Sequence, residues 1–275
     1  KELARKLLKA KHDVTIYSRN ESKQAAMKLE LPECNYVIGD VRDTWALNEA
    51  IKGHDLVYHL AALKHVDICE KQPHEAVKTN IEAVMNVIEV CRMNNVRLIN
   101  MSTDKAASPN NTYAMTKRIG EQLCNEYGFT SLRSGNVIGS SGSFIPAMIK
   151  SIQTNNTVNL TDLAMTRFFI TVDQITDILM NLEGPGVFIP KMKSFYIKDI
   201  VNYLVKKYGN DKTAINITGI RPGERLNEAL NNSEESIIEQ GKLYQIIRRD
   251  KYESLPMTSD DFIGTHDEMV KMFNL

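Results

Sequence analysis

The first half of the chain alternates short apolar runs with longer amphipathic segments, and this alternation restricts the fold to few classes. The apolar runs have the length and composition of strands that are buried on both faces of a sheet. Strands that alternate with helices predict a parallel, doubly wound sheet of the α/β class. The predicted strands are Asp13–Tyr17, Asn35–Ile38, Leu56–His59, Arg97–Met101 and Ser131–Arg133.

The amphipathic segments between these runs predict the helices that cover the sheet. Apolar residues recur at helical spacing, and Ala25, Ala26 and Leu29 form one stripe of the second helix. In a doubly wound nucleotide-binding sheet, a strand and a glycine-rich turn precede the first helix. Neither of them precedes the first predicted helix of this chain, Lys1–Lys11. We therefore expect the native polypeptide to start roughly a dozen residues earlier. The predicted helices are Lys1–Lys11, Glu21–Leu29, Thr44–Ile51, His74–Met93 and Tyr113–Tyr127.

The composition argues against several classes of protein. A chain of 275 residues can bury a large core without disulfides or metals, and its formal net charge of zero disfavours a nucleic-acid partner. The four cysteines and six histidines lack metal-binding spacing, so we expect reduced thiols and no metal site. No signal peptide and no apolar run of membrane-spanning length is recognisable. These features predict a cytoplasmic protein without membrane insertion.

The segment Ser102–Lys117 carries more chemistry than any other part of the sequence. It follows a predicted strand and combines the adjacent Asp104 and Lys105 with Tyr113 and Lys117. Ligands bind at the carboxyl ends of strands in this architecture, so these side chains could manage proton and hydride transfer together. An exposed Asp–Lys ion pair in a turn is the alternative. A lysine acts as a base only when it is neutral, which requires burial to lower its pKa.

The Tyr113-x-x-x-Lys117 spacing is weak evidence alone, because it recurs at Tyr203–Lys207 and Tyr208–Lys212, where we expect solvated helix surface. Its position after a strand end and a polar loop distinguishes the first copy. There a lysine one helical turn away can lower the pKa of a tyrosine and bind a cofactor ribose.

Polar side chains also follow the first two visible strands. Ser18 and Arg19 stand where NAD-binding folds usually carry a carboxylate, and a guanidinium suits the 2′-phosphate of NADP. An ordinary surface arginine is the alternative. After the next strand, Asp40 could accept from an adenine amino group while the Val41 amide meets a ring nitrogen. Alternatively, Asp40 or Asp43 merely caps the following helix.

The remaining strand end and two later motifs offer further ligand contacts. The small residues in Leu60–Ala62 would let a cofactor approach the backbone, and Lys64 or His65 could reach a substrate, although His65 is equally compatible with a plain loop histidine. In Arg221–Glu224, an arginine held by a Pro-Gly turn can grip a diphosphate while the glutamate binds ribose hydroxyls. Arg167, beside an aromatic residue, is a third candidate. Taken alone, however, Arg221–Glu224 is compatible with an ordinary turn, and Arg167 is compatible with a strand that carries one exposed charge.

Together these motifs resemble the extended short-chain dehydrogenase/reductase superfamily and, within it, the configuration-inverting UDP-N-acetylglucosamine 4,6-dehydratases of polysaccharide biosynthesis. The Asp104–Lys105 pair is the most specific match, since related retaining dehydratases typically carry Asp-Glu there. The chain departs from the family at Ser141, where arginine is common, at Ala114 and at Asn227. The matching segments, in family order, are Ser18–Gln24, Gly39–Asp43, Ala61–Val66, Lys78–Asn80, Ser102–Ala106, Tyr113–Lys117, Gly135–Ser140, Met165–Phe168 and Gly219–Glu224.

The resemblance implies a reaction on a UDP-linked N-acetylhexosamine that gives a 4-keto-6-deoxy sugar inverted at C5. Tyr113 would take the 4-hydroxyl proton as tightly bound NADP, rather than NAD, accepts the C4 hydride and later returns it to C6. Lys105 would remove the C5 proton, and Asp104 would protonate the departing 6-hydroxyl. The predicted catalytic residues are Thr103, Asp104, Lys105, Tyr113 and Lys117. The predicted cofactor-binding residues are Ser18, Arg19, Lys23, Asp40, Val41, Leu60, Ala61, Ala62, Lys64, Tyr113, Lys117 and Val137. The predicted substrate-binding residues are Lys64, His65, Thr103, Asn136, Arg167, Arg221 and Glu224.

The resemblance also predicts the domain organisation. A Rossmann-like NADP-binding domain would comprise residues 1–140 and about 168–190, and a smaller mixed substrate domain about 141–167 and 191–275. We expect a homo-oligomer, either a dimer or a hexamer. Three alternatives stay open: a UDP-sugar epimerase of the same superfamily, a non-catalytic NADP-binding sensor, and a fragment that is inactive without its glycine-rich loop.

Overall fold

The chain divides into two compact units in the computed structural model, which describes residues 1–140, 143–248 and 255–273. Unit 1 comprises Lys1–Ser102, Asn111–Arg133 and Thr176–Phe188, and unit 2 comprises Thr103–Asn110, Ser134–Ile175 and Ile189–Leu275. The strand Asn136–Ile138 pairs with the strand Thr166–Thr171, and both belong to unit 2. The predicted domain boundary at residue 140 stays a prediction.

Helices and strands alternate along the first half of the chain, as predicted. A π-helical segment, Lys78–Glu82, joins two of the helices, and a single 3₁₀ turn, Asp104–Ala106, follows the fourth strand. The helices are α1 (Glu2–Lys9), α2 (Glu21–Glu30), α3 (Thr44–Ile51), α4 (Val66–Lys71), α5 (Pro73–Val77), α6 (Ala83–Met93), α7 (Thr112–Glu126), α8 (Phe144–Asn155), α9 (Val172–Asn181), α10 (Ile197–Tyr208) and α11 (His266–Phe273). The strands are β1 (Thr15–Ser18), β2 (Asn35–Ile38), β3 (Leu56–His59), β4 (Arg97–Thr103), β5 (Thr130–Ser134), β6 (Asn136–Ile138), β7 (Thr157–Leu160), β8 (Thr166–Thr171), β9 (Gly186–Pro190), β10 (Lys193–Tyr196), β11 (Ala214–Ile217), β12 (Glu235–Gln240) and β13 (Leu243–Arg248).

The strands of unit 1 form two sheets, in which the pairs β1–β2, β3–β4 and β5–β9 are parallel. In the first sheet Thr15 lies opposite Asn35, and in the second, ordered β9-β5-β4-β3, His59 lies opposite Asn100. Parallel strands that alternate with helices confirm the predicted doubly wound α/β class. The strand and glycine-rich turn expected before Lys1 stay a prediction.

The core of unit 1 forms where α3, α6 and α7 pack their apolar faces against β4. Leu47, Val87, Leu98 and Cys124 are among the buried residues of this cluster. Complete burial of a Leu or Val side chain contributes about 1.5–3 kcal/mol, so this cluster holds the strand that leads to the site. Asp43 accepts a hydrogen bond from the Ala46 amide at 3.0 Å, which is the predicted N-cap of α3.

The predicted apolar stripe of α2 is wrong. Ala25 and Ala26 are exposed and Leu29 is 87% exposed, whereas Gln24 is buried. The Gln24 amide donates to the Ser18 carbonyl at 3.1 Å and to the Val37 carbonyl at 2.8 Å. A polar side chain that joins the ends of β1 and β2 therefore occupies the inner face, and residue spacing alone could not indicate this.

The predicted long helix His74–Met93 is one continuous helical run with a change of hydrogen-bonding pattern inside it. It consists of α5, the π-helical segment and α6. The π-helical segment places Thr79 and Asn80 in the buried interior. Such segments often occur at functional sites, since they redirect one side chain without ending the helix.

Unit 2 contains two small sheets, an antiparallel hairpin and a core rich in aromatic residues. β8 pairs in parallel with β6 and antiparallel with β10, β7 pairs in parallel with β11, and β12 and β13 form a hairpin. Phe169, Phe195 and Phe273 pack with ring centroids 5.0–6.1 Å apart. This cluster anchors β8, the strand that carries Arg167.

The four cysteines are buried free thiols, in keeping with the expected reduced state. No helix in the described part of the chain combines the length and the apolar character that a bilayer crossing demands. Within the same described ranges, no cluster of three or more His, Cys, Asp or Glu side chains is arranged to hold a metal ion.

Candidate active site

The adjacent acid and amine predicted from the sequence lie at the end of β4. Thr103 and Asp104 are buried, and Lys105 is half-buried with its side chain 21% exposed. Oδ1 of Asp104 accepts hydrogen bonds from the Thr103 hydroxyl at 3.0 Å, the Lys105 amide at 2.9 Å and the Lys105 ammonium at 3.1 Å. Its Oδ2 is buried and has no hydrogen-bond partner among the described residues. The pair is therefore a built feature of unit 2 rather than an exposed turn.

The surroundings of Asp104 favour its protonated form. Complete burial raises the pKa of Asp104 above its ordinary value, although the Lys105 charge and the hydrogen bonds to Oδ1 act in the opposite direction. A buried carboxyl group that keeps its proton can donate it to a leaving hydroxyl. Because Oδ1 is already engaged by three donors, Oδ2 is the oxygen positioned to carry that proton.

Glu228 is a third member of this cluster, and the sequence analysis missed it. Its Oε1 lies 3.1 Å from the ammonium of Lys105 and 3.6 Å from Nε of Arg167. Burial opposes ionisation of Glu228, but the charges of Lys105 and Arg167 outweigh it and hold the pKa of Glu228 below its ordinary value. The only sequence signal is its position four residues after Glu224, within the matched C-terminal motif region.

Arg167 is buried and bonded to the backbone near Glu228. Its guanidinium donates to the carbonyls of Thr166 at 2.7 Å, Leu226 at 2.9 Å and Arg225 at 2.9 Å. These hydrogen bonds hold the backbone of Arg225 and Leu226, which leads to Glu228, in one conformation. The predicted substrate contact of Arg167 stays a prediction, since most of its donors are engaged inside unit 2.

The tyrosine and lysine of the Tyr-x-x-x-Lys motif lie in the first two turns of α7 in unit 1. Asn111 caps this helix by accepting from the Ala114 amide at 2.9 Å, and Glu70 accepts from the Thr112 amide. Tyr113 is half-buried, whereas Lys117 is 4% exposed. Burial lowers the pKa of Lys117 to about 8 against the opposing charge of the Glu121 carboxylate. A lysine with this pKa can gain or lose a proton near neutral pH.

Asn80 ties α7 to the loop after β3, and its role was also missed. Its Oδ1 accepts from the Leu63 amide at 2.8 Å, and its Nδ2 donates to the Leu63 carbonyl at 2.9 Å and the Thr116 hydroxyl at 3.0 Å. The loop conformation beside Lys64 therefore depends on a side chain from the π-helical segment. The matched Lys78–Asn80 segment was the available signal for this contact.

The predicted nucleotide-binding residues lie at the carboxyl ends of β1 and β2. Nη1 of Arg19 is 3.4 Å from Oδ2 of Asp40, and Arg42 donates from Nε and Nη2 to the same carboxylate at distances of 2.7–3.1 Å. The hydrogen bond from Arg42 is the main reason that the pKa of Asp40 lies below its ordinary value. Arg42 was missed. The roles of Asp40 and Val41 toward adenine stay predictions, since the Asp40 carboxylate already holds two guanidinium groups.

A second cationic group follows β3. Desolvation lowers the pKa of Lys64, and the charge of Lys23 acts in the same direction. Leu60, Ala61, Ala62 and His65 are exposed at this strand end. With Arg19, these residues form a donor set suited to a phosphorylated dinucleotide, because cations and open backbone lie at the strand ends where such ligands bind. The chain thus fits a nicotinamide cofactor by its donor chemistry.

The remaining predicted cofactor- and substrate-binding residues belong to unit 2, as do Thr103, Asp104 and Lys105. Asn136 and Val137 are half-buried on β6. Arg221 is exposed, and Nη2 of its guanidinium is 3.3 Å from Oε1 of Glu224. Ser141, where the chain departs from the family motif, lies outside the described residues. The unit 1 residues are Ser18, Arg19, Lys23, Asp40, Val41, Leu60, Ala61, Ala62, Lys64, His65, Tyr113 and Lys117.

Comparisons with known proteins agree with the resemblance. A family described as polysaccharide biosynthesis protein matches residues 1–249. The chain is 39% identical to a UDP-N-acetylglucosamine 4,6-dehydratase (inverting) from Campylobacter jejuni over 81% of this chain and 70% of that protein. It is 35% identical to a UDP-glucose 4-epimerase from Rickettsia bellii over 83% of this chain and 72% of that protein. The solved structure of Pen from Bacillus thuringiensis superposes with a TM-score of 0.91 at 30% identity, covering 99% of this chain and 92% of that one.

Proposed function

The chain belongs to the polysaccharide biosynthesis protein family, and from this membership and its acid–amine pair we propose that it is a nucleotide-sugar dehydratase of the inverting type. The observation that carries the proposal is the buried Asp104, whose raised pKa and unbonded Oδ2 suit a general acid, beside the amine of Lys105. We propose a UDP-N-acetylhexosamine as substrate, with UDP-N-acetylglucosamine as the first compound to test, since the inverting relative named above is 39% identical.

The proposed steps assign one proton transfer to each group. A bound NADP would accept hydride from C4 of the sugar and return it to C6. Tyr113, beside the buried Lys117, takes the 4-hydroxyl proton, and Lys105 takes the C5 proton that the neighbouring carbonyl has made acidic. Asp104 gives its proton to the 6-hydroxyl, which departs as water. Reprotonation of C5 from the other face inverts that centre, so the balance of the reaction is the loss of one water.

We propose NADP over NAD as the cofactor. Arg19 is exposed at the end of β1, where its guanidinium can meet a 2′-phosphate, and a carboxylate at this position would repel that group. Lys23 and Lys64 add positive charge in the same unit. The homo-oligomeric state and the cytoplasmic location stay predictions.

The decisive experiment is incubation with UDP-N-acetylglucosamine and NADP in deuterated water, followed by mass spectrometry and NMR. A dehydratase gives a product that has lost one water, carries one deuterium at C5 and has an inverted configuration there. Lys105→Ala and Tyr113→Phe should each lower turnover by about 10²–10⁴-fold and leave NADP binding largely intact. Lys212→Ala, which removes an exposed lysine from one of the recurring Tyr-x-x-x-Lys segments, is the matched control. Near-full dehydration by Lys105→Ala would refute the role given to this lysine.

A UDP-sugar epimerase is the second candidate, because the Rickettsia bellii relative carries that name at 35% identity. It would give a product that has lost no water, with altered configuration either at C4 or next to the transient ketone, where exchange with the solvent adds one deuterium. Saturable NADP binding without turnover of any UDP-sugar would instead favour the sensor hypothesis. The same incubation therefore separates all three.

A further inference from the structure

Glu228 lies where it can control the predicted base. The Lys105 ammonium is 3.1 Å from Oδ1 of Asp104 and 3.1 Å from Oε1 of Glu228. The side chains of the two carboxylates are 0% and 5% exposed, so solvent screens these contacts little. A lysine side chain has four rotatable bonds, and two carboxylates on its ammonium group restrict it to one direction.

The backbone around Glu228 is itself fixed. The Glu228 amide donates to the Ser259 hydroxyl at 3.0 Å, and the Ser259 amide donates to the Glu228 carbonyl at 2.8 Å. Arg167 donates to the carbonyls of Arg225 and Leu226, which immediately precede this segment. The carboxylate of Glu228 thus projects from a rigid segment, and it can serve as an anchor for a more flexible side chain.

The charges around the cluster show which carboxylate is the permanent anion. Among the charged groups of the described residues, Asp104, Arg167 and Arg225 act on Lys105 and Glu228. The cations hold the pKa of Glu228 below its ordinary value despite its burial, whereas burial raises the pKa of Asp104. Glu228 is therefore ionised at neutral pH and places a negative charge beside the Lys105 ammonium.

We propose that Glu228 is a positioning residue that aims the Lys105 amine and sets the pH at which this lysine acts as a base. The proposal rests on the proposed dehydratase function for its catalytic meaning. An anion beside an ammonium group stabilises the protonated form, so it strengthens the amine as a base toward a weakly acidic C–H bond. In this role Glu228 acts through Lys105 and needs no contact of its own with the reacting atoms.

Glu228→Gln separates charge from position, because the amide keeps the size of the side chain and an oxygen that can accept from Lys105. Removal of the negative charge should lower the titration midpoint of Lys105, so the acid limb of the kcat/KM profile should move to lower pH by about one to two units. The plateau value of kcat should fall several-fold to about tenfold, since a weaker base transfers the C5 proton more slowly. KM for UDP-N-acetylglucosamine should change little.

The experiment measures kcat and KM across a pH series and, independently of activity, titrates Lys105 by NMR in protein labelled with ¹³Cε-lysine. Lys105→Arg identifies the resonance. Glu228→Asp keeps the charge and should retain most of the wild-type midpoint, and it covers the case in which Glu228→Gln folds poorly. Glu235→Gln is the matched control, since Glu235 is also a buried carboxylate of unit 2 and accepts from the Asn232 amide at 3.3 Å.

A lowered Lys105 midpoint in Glu228→Gln, but not in Glu228→Asp or Glu235→Gln, supports the proposal. An unchanged midpoint and an unchanged acid limb in Glu228→Gln would overturn it, as would loss of activity in Glu228→Asp equal to that in Glu228→Gln. If the wild-type chain removes no water from the UDP-sugar, the dehydratase proposal fails. The NMR titration then still decides whether Glu228 governs Lys105.

Discussion

The buried ion pair between Arg133 and Glu121 provides the sharpest test of how the site is supported. Arg133 projects from β5 with its side chain 0% exposed, and Glu121 projects from α7 with 1% exposed. The contact is bidentate, with Nε to Oε1 at 2.9 Å and Nη2 to Oε2 at 2.6 Å. Arg118 lies 3.6 Å from the same carboxylate. The pair joins the helix of Tyr113 and Lys117 to the sheet of unit 1.

We expect Arg133→Met to lower the free energy of unfolding by about 3 kcal/mol, at the lower end of the range of about 3–5 kcal/mol for breaking a buried pair. The variant leaves Glu121 as a buried charge, and Arg118 compensates for only part of it. The double variant Arg133→Met/Glu121→Leu removes both charges and should lie within about 1 kcal/mol of the wild type. The two single effects should therefore be strongly non-additive.

The assay is urea unfolding followed by far-ultraviolet circular dichroism, with linear extrapolation to water. The exposed pair of Lys52 and Glu49 is the control, because Lys52→Met breaks an ion pair of the same charge type whose side chains are 54% and 47% exposed. That change should cost less than about 1 kcal/mol. An Arg133→Met effect no larger than the Lys52→Met effect would refute the argument from burial, as would a double variant as unstable as the sum of the single variants.

Three further predictions concern the site itself. Between pH 8 and pH 10.5, the free energy of unfolding of the wild type should rise by at most about 3 kcal/mol relative to that of Lys117→Met. The reason is that Lys117 keeps its proton in the unfolded chain over this pH range, whereas in the folded protein, where its pKa is about 8, it releases the proton. Urea unfolding at several pH values measures this difference. Arg19→Ala should weaken NADP binding about tenfold or more and leave NAD binding nearly unchanged, as measured by calorimetry with both cofactors. Asp104→Asn should lower dehydration by about 10²–10⁴-fold, because the amide keeps the size of the side chain but has no carboxyl proton to give to the leaving hydroxyl. Turnover measured beside thermal unfolding checks this, and near-wild-type dehydration by a folded Asp104→Asn variant would contradict the acid role.

Local sequence signals predicted the elements that position the site. β2, β3 and α3 have the predicted bounds, because each is a short segment with clear turn or cap residues at its ends, such as Asp43 at the start of α3. The π-helical segment Lys78–Glu82 was missed, since the apolar residues around it keep a helical spacing. The contacts that this segment makes, those of Asn80 with Leu63 and Thr116, are tertiary and have no local signature.

The site residues divide in the same way between local and tertiary signals. Asp104 and Lys105 are adjacent in sequence, so a motif could reveal them. Glu228 meets Lys105 only after the chain has folded back over more than a hundred residues, and one carboxylate among many has no local signature. Arg42 was missed for another reason. Its side chain binds Asp40, two residues earlier, whereas the sequence analysis assigned the cofactor contacts at these strand ends to Arg19 and Asp40.

The same folding contacts explain how two carboxylates on one lysine can have opposite tasks. Asp104 and Glu228 each lie 3.1 Å from the Lys105 ammonium, and both are buried. Only Glu228 also lies within 3.6 Å of Arg167, whose charge helps to keep it ionised, whereas burial dominates at Asp104 and favours its proton. Neighbours that drive two pKa values apart assign the acid role to one group and the anion role to the other. Lys105 therefore lies between a carboxyl group whose burial favours its protonated form and a carboxylate that nearby cations favour in its ionised form, an arrangement that fits the proposed loss of water from a sugar.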